Sequence, residues 1–247
     1  MSGETSHNSK LALLLPFRCI VFLLVFIIGA LITDKKVSDI SNWWSVAATA
    51  VNIITILILV LAAKRSGKGF KQFMGLTKGK NTPKKLILLV LGFTAVGYGG
   101  LNLAGLVCYG SIMPKVTVEH VVAPIPFALA LINLVLLPAT ISFAEDGLYL
   151  GCGVNSFKNK YAAIIVPAFF YAFQHCFIPT MFDAKYMLYR FLSFLPLTVI
   201  FCWYYRKKQN PLPMMTAHAV LDYATAMTIL ITSSSSDLYD KMCTMVS

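Results

Sequence analysis

The chain has 247 residues, 57% of them hydrophobic and only 13% charged, with a mean hydropathy of +0.73. Globular chains carry about 25% charged residues, so a soluble domain is excluded, and several apolar runs reach the roughly 20 residues that span a bilayer. The net charge of +11 would suggest a nucleic-acid partner in a soluble protein, but its placement along the chain accounts for it without one.

In chain order, residues 1–10 form a polar tail. The first apolar run, 11–32, contains Arg18, expected to snorkel to the near interface. It lacks the small-residue cleavage site of a signal peptide and reads as a retained helix. A short loop leads to Trp43 and Trp44 at an interfacial belt, which open the second span, to about residue 63. The stretch 64–85 holds Lys64, Arg65, Lys68, Lys71, Lys78, Lys80, Lys84 and Lys85 and no acid. It reads as a cytoplasmic loop with a short basic surface helix over 69–75.

The third span, 86–109, carries a glycine-rich packing face. After a loop to about 121, a fourth helix is expected over 122–145, kinked at Pro138. The fifth helix is expected over 161–179, the sixth over 186–205 with Arg190 snorkelling near its outer end, and the seventh over 212–231. The tail 232–247 is Ser-rich. The six cysteines are scattered, with no CxxC pair, and outline neither a disulfide framework nor a zinc site.

The fold class is therefore all-α: a polytopic membrane helical bundle of about seven transmembrane helices. The lysines and arginines of 64–85, Lys10, Lys158, Lys160, Arg206, Lys207 and Lys208 fall on one face. The opposite face has only Lys35, Lys36, Lys115, Lys185 and Lys241, offset by acids. That bias places the N-terminus in the cytoplasm and the C-terminus outside. The membrane would be the plasma membrane in a prokaryote and the endoplasmic reticulum in a eukaryote.

Against this background, Glu145 and Asp146 are an energetic anomaly. An acidic residue at a helix centre costs about 3 kcal/mol even on insertion scales. Counting at 1.5 Å per residue from the nearest basic anchor puts Glu145 roughly 20 Å deep, His175 roughly 22 Å, His218 roughly 15 Å, and Asp222 about 6 Å beyond His218. Residues from different helices thus share one slab. His218 and Asp222 are i and i+4 and share a face, as do Glu145 and Tyr149, whereas Asp146 points about 100° away and reads as a brace. A desolvated glutamate can act as general base toward water, a histidine can hold that water, and a His–Asp pair can serve the oxyanion. The expected chemistry is hydrolysis inside the membrane.

These residues resemble the CAAX-protease and bacteriocin-processing (CPBP, or Abi) family of intramembrane proteases, whose pattern is E-E-x-x-x-R, then F-x-x-x-H, then H-x-x-x-N/D. Here the three read EDGLYL from Glu145 to Leu150, YAFQH from Tyr171 to His175, and HAVLD from His218 to Asp222. The resemblance covers residues 134–223. It implies Glu145 as catalytic base, His175 on the attacking water, and His218 with Asp222 on the oxyanion side, supported by Asp146 and Tyr149. A zinc ion, if one were used, would be held by Glu145, His175 and His218, although a tightly bound metal is not expected. The implied substrate is a prenylated or other membrane-associated peptide or protein, met within the lipid bilayer.

Three positions depart from the pattern. Asp146 replaces the second glutamate, Tyr171 the phenylalanine and Leu150 the arginine, the last removing a cation from beside the carboxylates. On this reading 122–231 is the catalytic core, and 11–121 contributes N-terminal membrane helices around the basic loop. The competing class is a catalytically silent family member serving as scaffold or bacteriocin-immunity protein. A proton-coupled carrier ranks last, because the paired broken helices of inverted repeats are not seen.

Overall fold

In hydrocarbon a backbone must satisfy its own polar groups, and helices carry nearly the whole architecture. A computed structural model describes residues 11–76 and 81–246. The tail 1–10 with its Lys10, and Lys78 and Lys80 of the basic segment, lie outside the described residues. The membrane helices are α1 (Phe17–Thr33, entered through a 3-10 turn, Ala12–Leu14), α2 (Trp44–Arg65), α3 (Pro83–Tyr109) and α4 (Phe127–Ile141). α4 runs on as a π-helix, Ser142–Val154. Then come α5 (Ala162–Phe173, extended by a 3-10 turn, Gln174–Cys176), α6 (Ala184–Lys208) and α7 (Leu212–Ser234), followed by an amphipathic α8 (Ser236–Met245). Six of these stretches are long and apolar enough to cross a membrane, and α5 with its 3-10 turn is a shorter apolar helix. The protein is an integral, multi-pass membrane protein of the all-α class.

Local chemistry sets the ends. Thr82 accepts a hydrogen bond from the Lys85 amide and Pro83 occupies the first turn of α3, which closes at Gly110 in the left-handed conformation. Asp183 accepts from the Tyr186 amide to start α6, whose last turn carries Arg206, Lys207 and Lys208 against the negative end of the helix dipole. Large apolar side chains such as Leu31, Leu57, Val107 and Ile165 point outward to lipid, while Arg18, Asn52, Glu145, Asp146, Gln174 and His218 are buried. These polar and ionisable side chains are kept inside an otherwise apolar bundle, away from the lipid.

The π-helix is its axis. It packs against α2, α5, α6 and α7, and every residue of it except Phe143 is buried. Glycine permits that crowding: a Cβ at Gly147 would lie 2.7 Å from both Leu59 Cδ1 and Met74 Sδ.

Two ends can be distinguished. At the basic end, Asn210 donates to Asn81, Asn155 donates to the Tyr205 hydroxyl and Arg206 reaches the Lys158 carbonyl. At the low-charge end, Ser41 donates to the Thr180 carbonyl, Trp44 to the Val121 carbonyl and Tyr239 to the Glu119 carbonyl.

Several element boundaries differ from the sequence reading. The fourth helix begins at Phe127 rather than 122, since Pro124 and Pro126 hold the preceding chain extended. It does not stop at Glu145, because buried contacts on all sides carry the π-helix to Val154. Lys115–Val121, expected as loop, is a short helix, and the surface helix near 69–75 is confined to Phe70–Phe73. The fifth helix tightens into its 3-10 turn at Gln174, ahead of the expected end at 179.

Candidate active site

Glu145 lies fully buried on the π-helix, and both of its oxygens are engaged. Arg18 of α1 donates from Nη2 to Oε1 at 2.7 Å, an ion pair whose two side chains are 0% exposed. Gln174, one residue before His175, donates from Nε2 to Oε2 at 2.8 Å. Arg18 also donates from Nε to Gln174 Oε1 at 2.7 Å and from Nη1 to Thr55 Oγ1 at 3.1 Å. The guanidinium thus fixes the carboxylate directly and through the amide that holds its other oxygen. Charge-assisted bonds of this length are about twice as strong as neutral ones.

Two imidazoles face the same carboxylate oxygen. His175 Nε2 and His218 Nε2 are each 3.8 Å from Glu145 Oε2. Their orientations have separate causes. His175 lies flat on the Phe194 ring, with centroids 3.5 Å apart and planes within 5°. Its carbonyl accepts from Arg190 Nε at 3.4 Å, and the Ile178 carbonyl accepts from Arg190 Nη2 at 2.7 Å. Arg190 therefore satisfies carbonyls left over where α5 ends. His175 Nε2 is buried with no hydrogen-bond partner in the protein.

His218 is held from its other nitrogen. Tyr171 donates its hydroxyl to Asp146 Oδ1 at 2.8 Å, and the same oxygen lies 2.9 Å from His218 Nδ1. A phenol has one proton. With that proton on the bond to Asp146, Nδ1 carries its own proton and donates to the tyrosine oxygen. Asp222 Oδ2 is 3.1 Å from His218 Nε2, one helical turn along α7. Tyr149 donates to Gln174 Oε1 at 3.3 Å and stacks on Tyr171 at 4.6 Å.

A cavity of about 230 Å³ adjoins the cluster and is lined by Glu145, Tyr171, His175, His218, Asp222 and Arg190 among others. The residues do not fit a zinc ion. Zinc donors at about 2.0–2.1 Å in a tetrahedron stand roughly 3.4 Å apart, and here each imidazole is 3.8 Å from the carboxylate. Among the described residues no group of three or more His, Cys, Asp and Glu side chains is arranged to hold a metal. A guanidinium already holds the carboxylate that would have to be shared.

Residues 126–224 match the family model described as type II CAAX prenyl endopeptidase Rce1-like. Over that segment the chain is similar to the Rce1-like family. The Rce1-like segment contains Glu145, Asp146, Tyr171, Gln174, His175, His218 and Asp222, but not Arg18 or Thr55, which reach the cluster from α1 and α2. Neither a curated protein nor a solved structure matches the chain.

The structure thus brings Glu145, His175, His218 and Asp222 together, with Asp146 directly against His218 Nδ1 at 3.4 Å and Tyr149 one contact removed, through Gln174. It corrects the reading of two arginines. Arg18 does not snorkel; it is buried against Glu145, and it supplies the cation whose loss was expected from Leu150. Leu150 is fully buried in the apolar cluster with Leu148 and Val154. Arg190, likewise expected at the interface, is buried behind His175. Gln174 and the hydroxyl of Tyr171 were not singled out. The available signals were a charge two helical turns inside an apolar run for Arg18 and a polar side chain next to His175 for Gln174.

Proposed function

We propose that the chain is an intramembrane endopeptidase that cleaves membrane-associated peptides, prenylated substrates included, with a water activated by Glu145. The observation that carries this reading is the pair of imidazole nitrogens 3.8 Å from one carboxylate oxygen. That distance is too long for a direct hydrogen bond, but one oxygen making bonds of about 2.8 Å bridges it at an angle near 85°. A water so held donates a proton to Glu145 Oε2, which keeps a free lone-pair site beside its bond from Gln174. The same water accepts from His175 Nε2.

As the proton passes to Glu145, the water oxygen bonds to the scissile carbonyl carbon. Negative charge builds on the carbonyl oxygen, and His218 donates to it from Nε2. Its Nδ1 proton is committed to Tyr171, and Asp146 and Asp222 balance the ring's positive charge. Glu145 then returns its proton to the departing amine as the C–N bond breaks. Asp146 and Tyr149 act as supports, through Tyr171 and Gln174.

The match to the Rce1-like family supports the peptidase class. Residues 122–231 form the catalytic core on this reading, completed by Arg18. The catalytically silent alternative drew on Leu150 in place of an arginine and on Asp146 in place of a glutamate, and the Arg18–Glu145 pair weighs against the first of these. The charge bias between the two ends supports an orientation with the basic end and the N-terminus in the cytoplasm.

The test is incubation of the purified chain with a panel of prenylated and unprenylated peptides, beside Glu145→Gln and His175→Ala. Cleavage by the parent and loss in both variants, each still helical and folded at the assay temperature, is expected. Full activity in both variants overturns the assignment.

A further inference from the structure

The two ends of the bundle differ in how their charges are balanced. Among the described residues, the exposed ion pairs, Lys115–Glu119 and Lys241–Asp237, both belong to the low-charge end. At the basic end the described residues include no carboxylate, and the lysines stand exposed without an acidic partner. Some of these cations have a place in the fold. Lys64 and Arg65 close α2, and Lys207 and Lys208 close α6, where the negative end of a helix dipole favours them. Lys84 and Lys85 have the opposite setting. They stand in the first turn of α3, at the positive end of the dipole, with no acid in that turn. Lys68 and Lys71 are exposed around the Phe70–Phe73 helix, which likewise carries no acid. Like charges collected at one end repel one another, and nothing in the described chain offsets that repulsion.

The surface helix joins this charge to the interior. Phe70, Phe73 and Met74 are spaced i, i+3 and i+4, so they turn one apolar face to the bundle while the lysines stay outside. Met74 is fully buried. A Cβ at Gly147 would lie 2.7 Å from its Sδ, and one at Gly151 would lie 3.6 Å from the Phe73 carbonyl oxygen. The Phe70 ring is 6.5 Å from that of Phe143. All three partners belong to the π-helix that carries Glu145. A helix this short does not hold itself in water, so it keeps its shape by what it rests on.

We propose that the basic end is a docking surface for anionic lipid headgroups, and that headgroups at Lys68, Lys71, Lys84 and Lys85 press the Phe70–Phe73 helix onto the π-helix. The partner that fits is a membrane surface bearing phosphodiesters without a compensating amine, a fixed layer of negative charge at the level where these lysines emerge. In zwitterionic lipid the lysines keep their mutual repulsion, and the helix lifts from Gly147 and Gly151 more often. The attraction acts within a Debye length of the surface, so salt weakens it. The contact depends neither on which side of the membrane the basic end occupies nor on the reading of the Glu145 cluster as a peptidase site.

The test is hydrogen exchange of the full chain in nanodiscs whose two leaflets are alike, made of phosphatidylcholine alone or with phosphatidylglycerol added. The amides of Phe73, Met74, Gly75 and Leu76, each bonded within the surface turn, report its seating. They should exchange roughly fivefold more slowly with phosphatidylglycerol, the factor that surface attraction on one cation supplies. The amides of Asp39, Ile40 and Trp43, at the low-charge end, should keep their rates. The slowing should vanish in about 1 M salt, where the Debye length is about 3 Å. It should also vanish when Lys68, Lys71, Lys84 and Lys85 are all replaced by Gln, whereas Lys35→Gln with Lys36→Gln should preserve it. Equal exchange in the two lipids overturns the proposal. So does an equal change at both ends, or a slowing that survives loss of the four lysines. Exchange needs no turnover, so a chain that cleaves no peptide counts against the proposed activity alone.

Discussion

Replacing Arg18 by Met removes three hydrogen bonds and leaves the Glu145 carboxylate buried without a counter-charge. Breaking a fully buried ion pair by deleting one partner costs about 3–5 kcal/mol, most of it the price of the stranded charge. For a chain of this size that is a fall of roughly 10 °C in Tm. Glu145→Gln strands the guanidinium instead and should cost a similar amount. In the double variant neither charge remains, so the two losses do not add. The double variant should melt above at least one single variant, with a coupling of roughly 3 kcal/mol. The assay is thermal melting of the four detergent-solubilised proteins, with cleavage measured in parallel. Cleavage should be absent from the double variant although its stability has recovered. Additive losses would refute the claim that Arg18 is there to balance Glu145.

Three further outcomes are expected. Tyr171→Phe restores the family's usual residue but removes the hydroxyl shared by Asp146 and His218, so it should destabilise by about 1–3 kcal/mol and slow cleavage while leaving substrate binding unchanged. Steady-state kinetics separate the two effects, and a faster enzyme would contradict the shared-hydroxyl arrangement. Gly147→Ala drives a methyl into Leu59 and Met74 and should cost about 1–3 kcal/mol, relieved in part by Met74→Ala, as melting of the single and double variants will tell. His120, outside the membrane spans and beside Asn42, is held below its ordinary value of 6.5 by burial, against the opposing pull of Glu119 and Asp39. Above that value both states are neutral and nothing changes. As pH falls through it the unfolded chain binds the proton first, so stability declines with acidification. His120→Gln should flatten that limb of a pH-melting profile.

Part of this site was legible in the sequence because charge in hydrocarbon is rare enough to be informative. Glu145, His175, His218 and Asp222 could be assigned a common depth from basic anchors and helical rise, and His218 and Asp222 a common face from their i, i+4 spacing. Depth says nothing about azimuth, however. Arg18 and Arg190 both stand near helix ends, where a long cationic side chain ordinarily reaches the headgroups, and only their buried partners reveal that they turn inward. The π-helix was hidden for a related reason. Its hydrogen bonds run i→i+5, so counting at 3.6 residues per turn misjudges how Glu145, Asp146 and Tyr149 are distributed around the axis. Tyr171 read as a mild aromatic change because its value lies in an oxygen whose partners come from two other helices. The breaks at Pro126 and Gln174 are set by neighbouring packing as much as by local preference.

The order of the charges along the chain has a consequence for biogenesis. Arg18 is synthesised and inserted 127 residues before Glu145, so when the segment carrying the two acids arrives in the bilayer, one of them meets a cation already in place. Asp146 has no such partner until Tyr171 and His218 follow. Membrane insertion therefore neutralises Glu145 early and completes the surroundings of Asp146 late, and a chain arrested before α7 holds its glutamate in an ion pair while Asp146 still lacks His218.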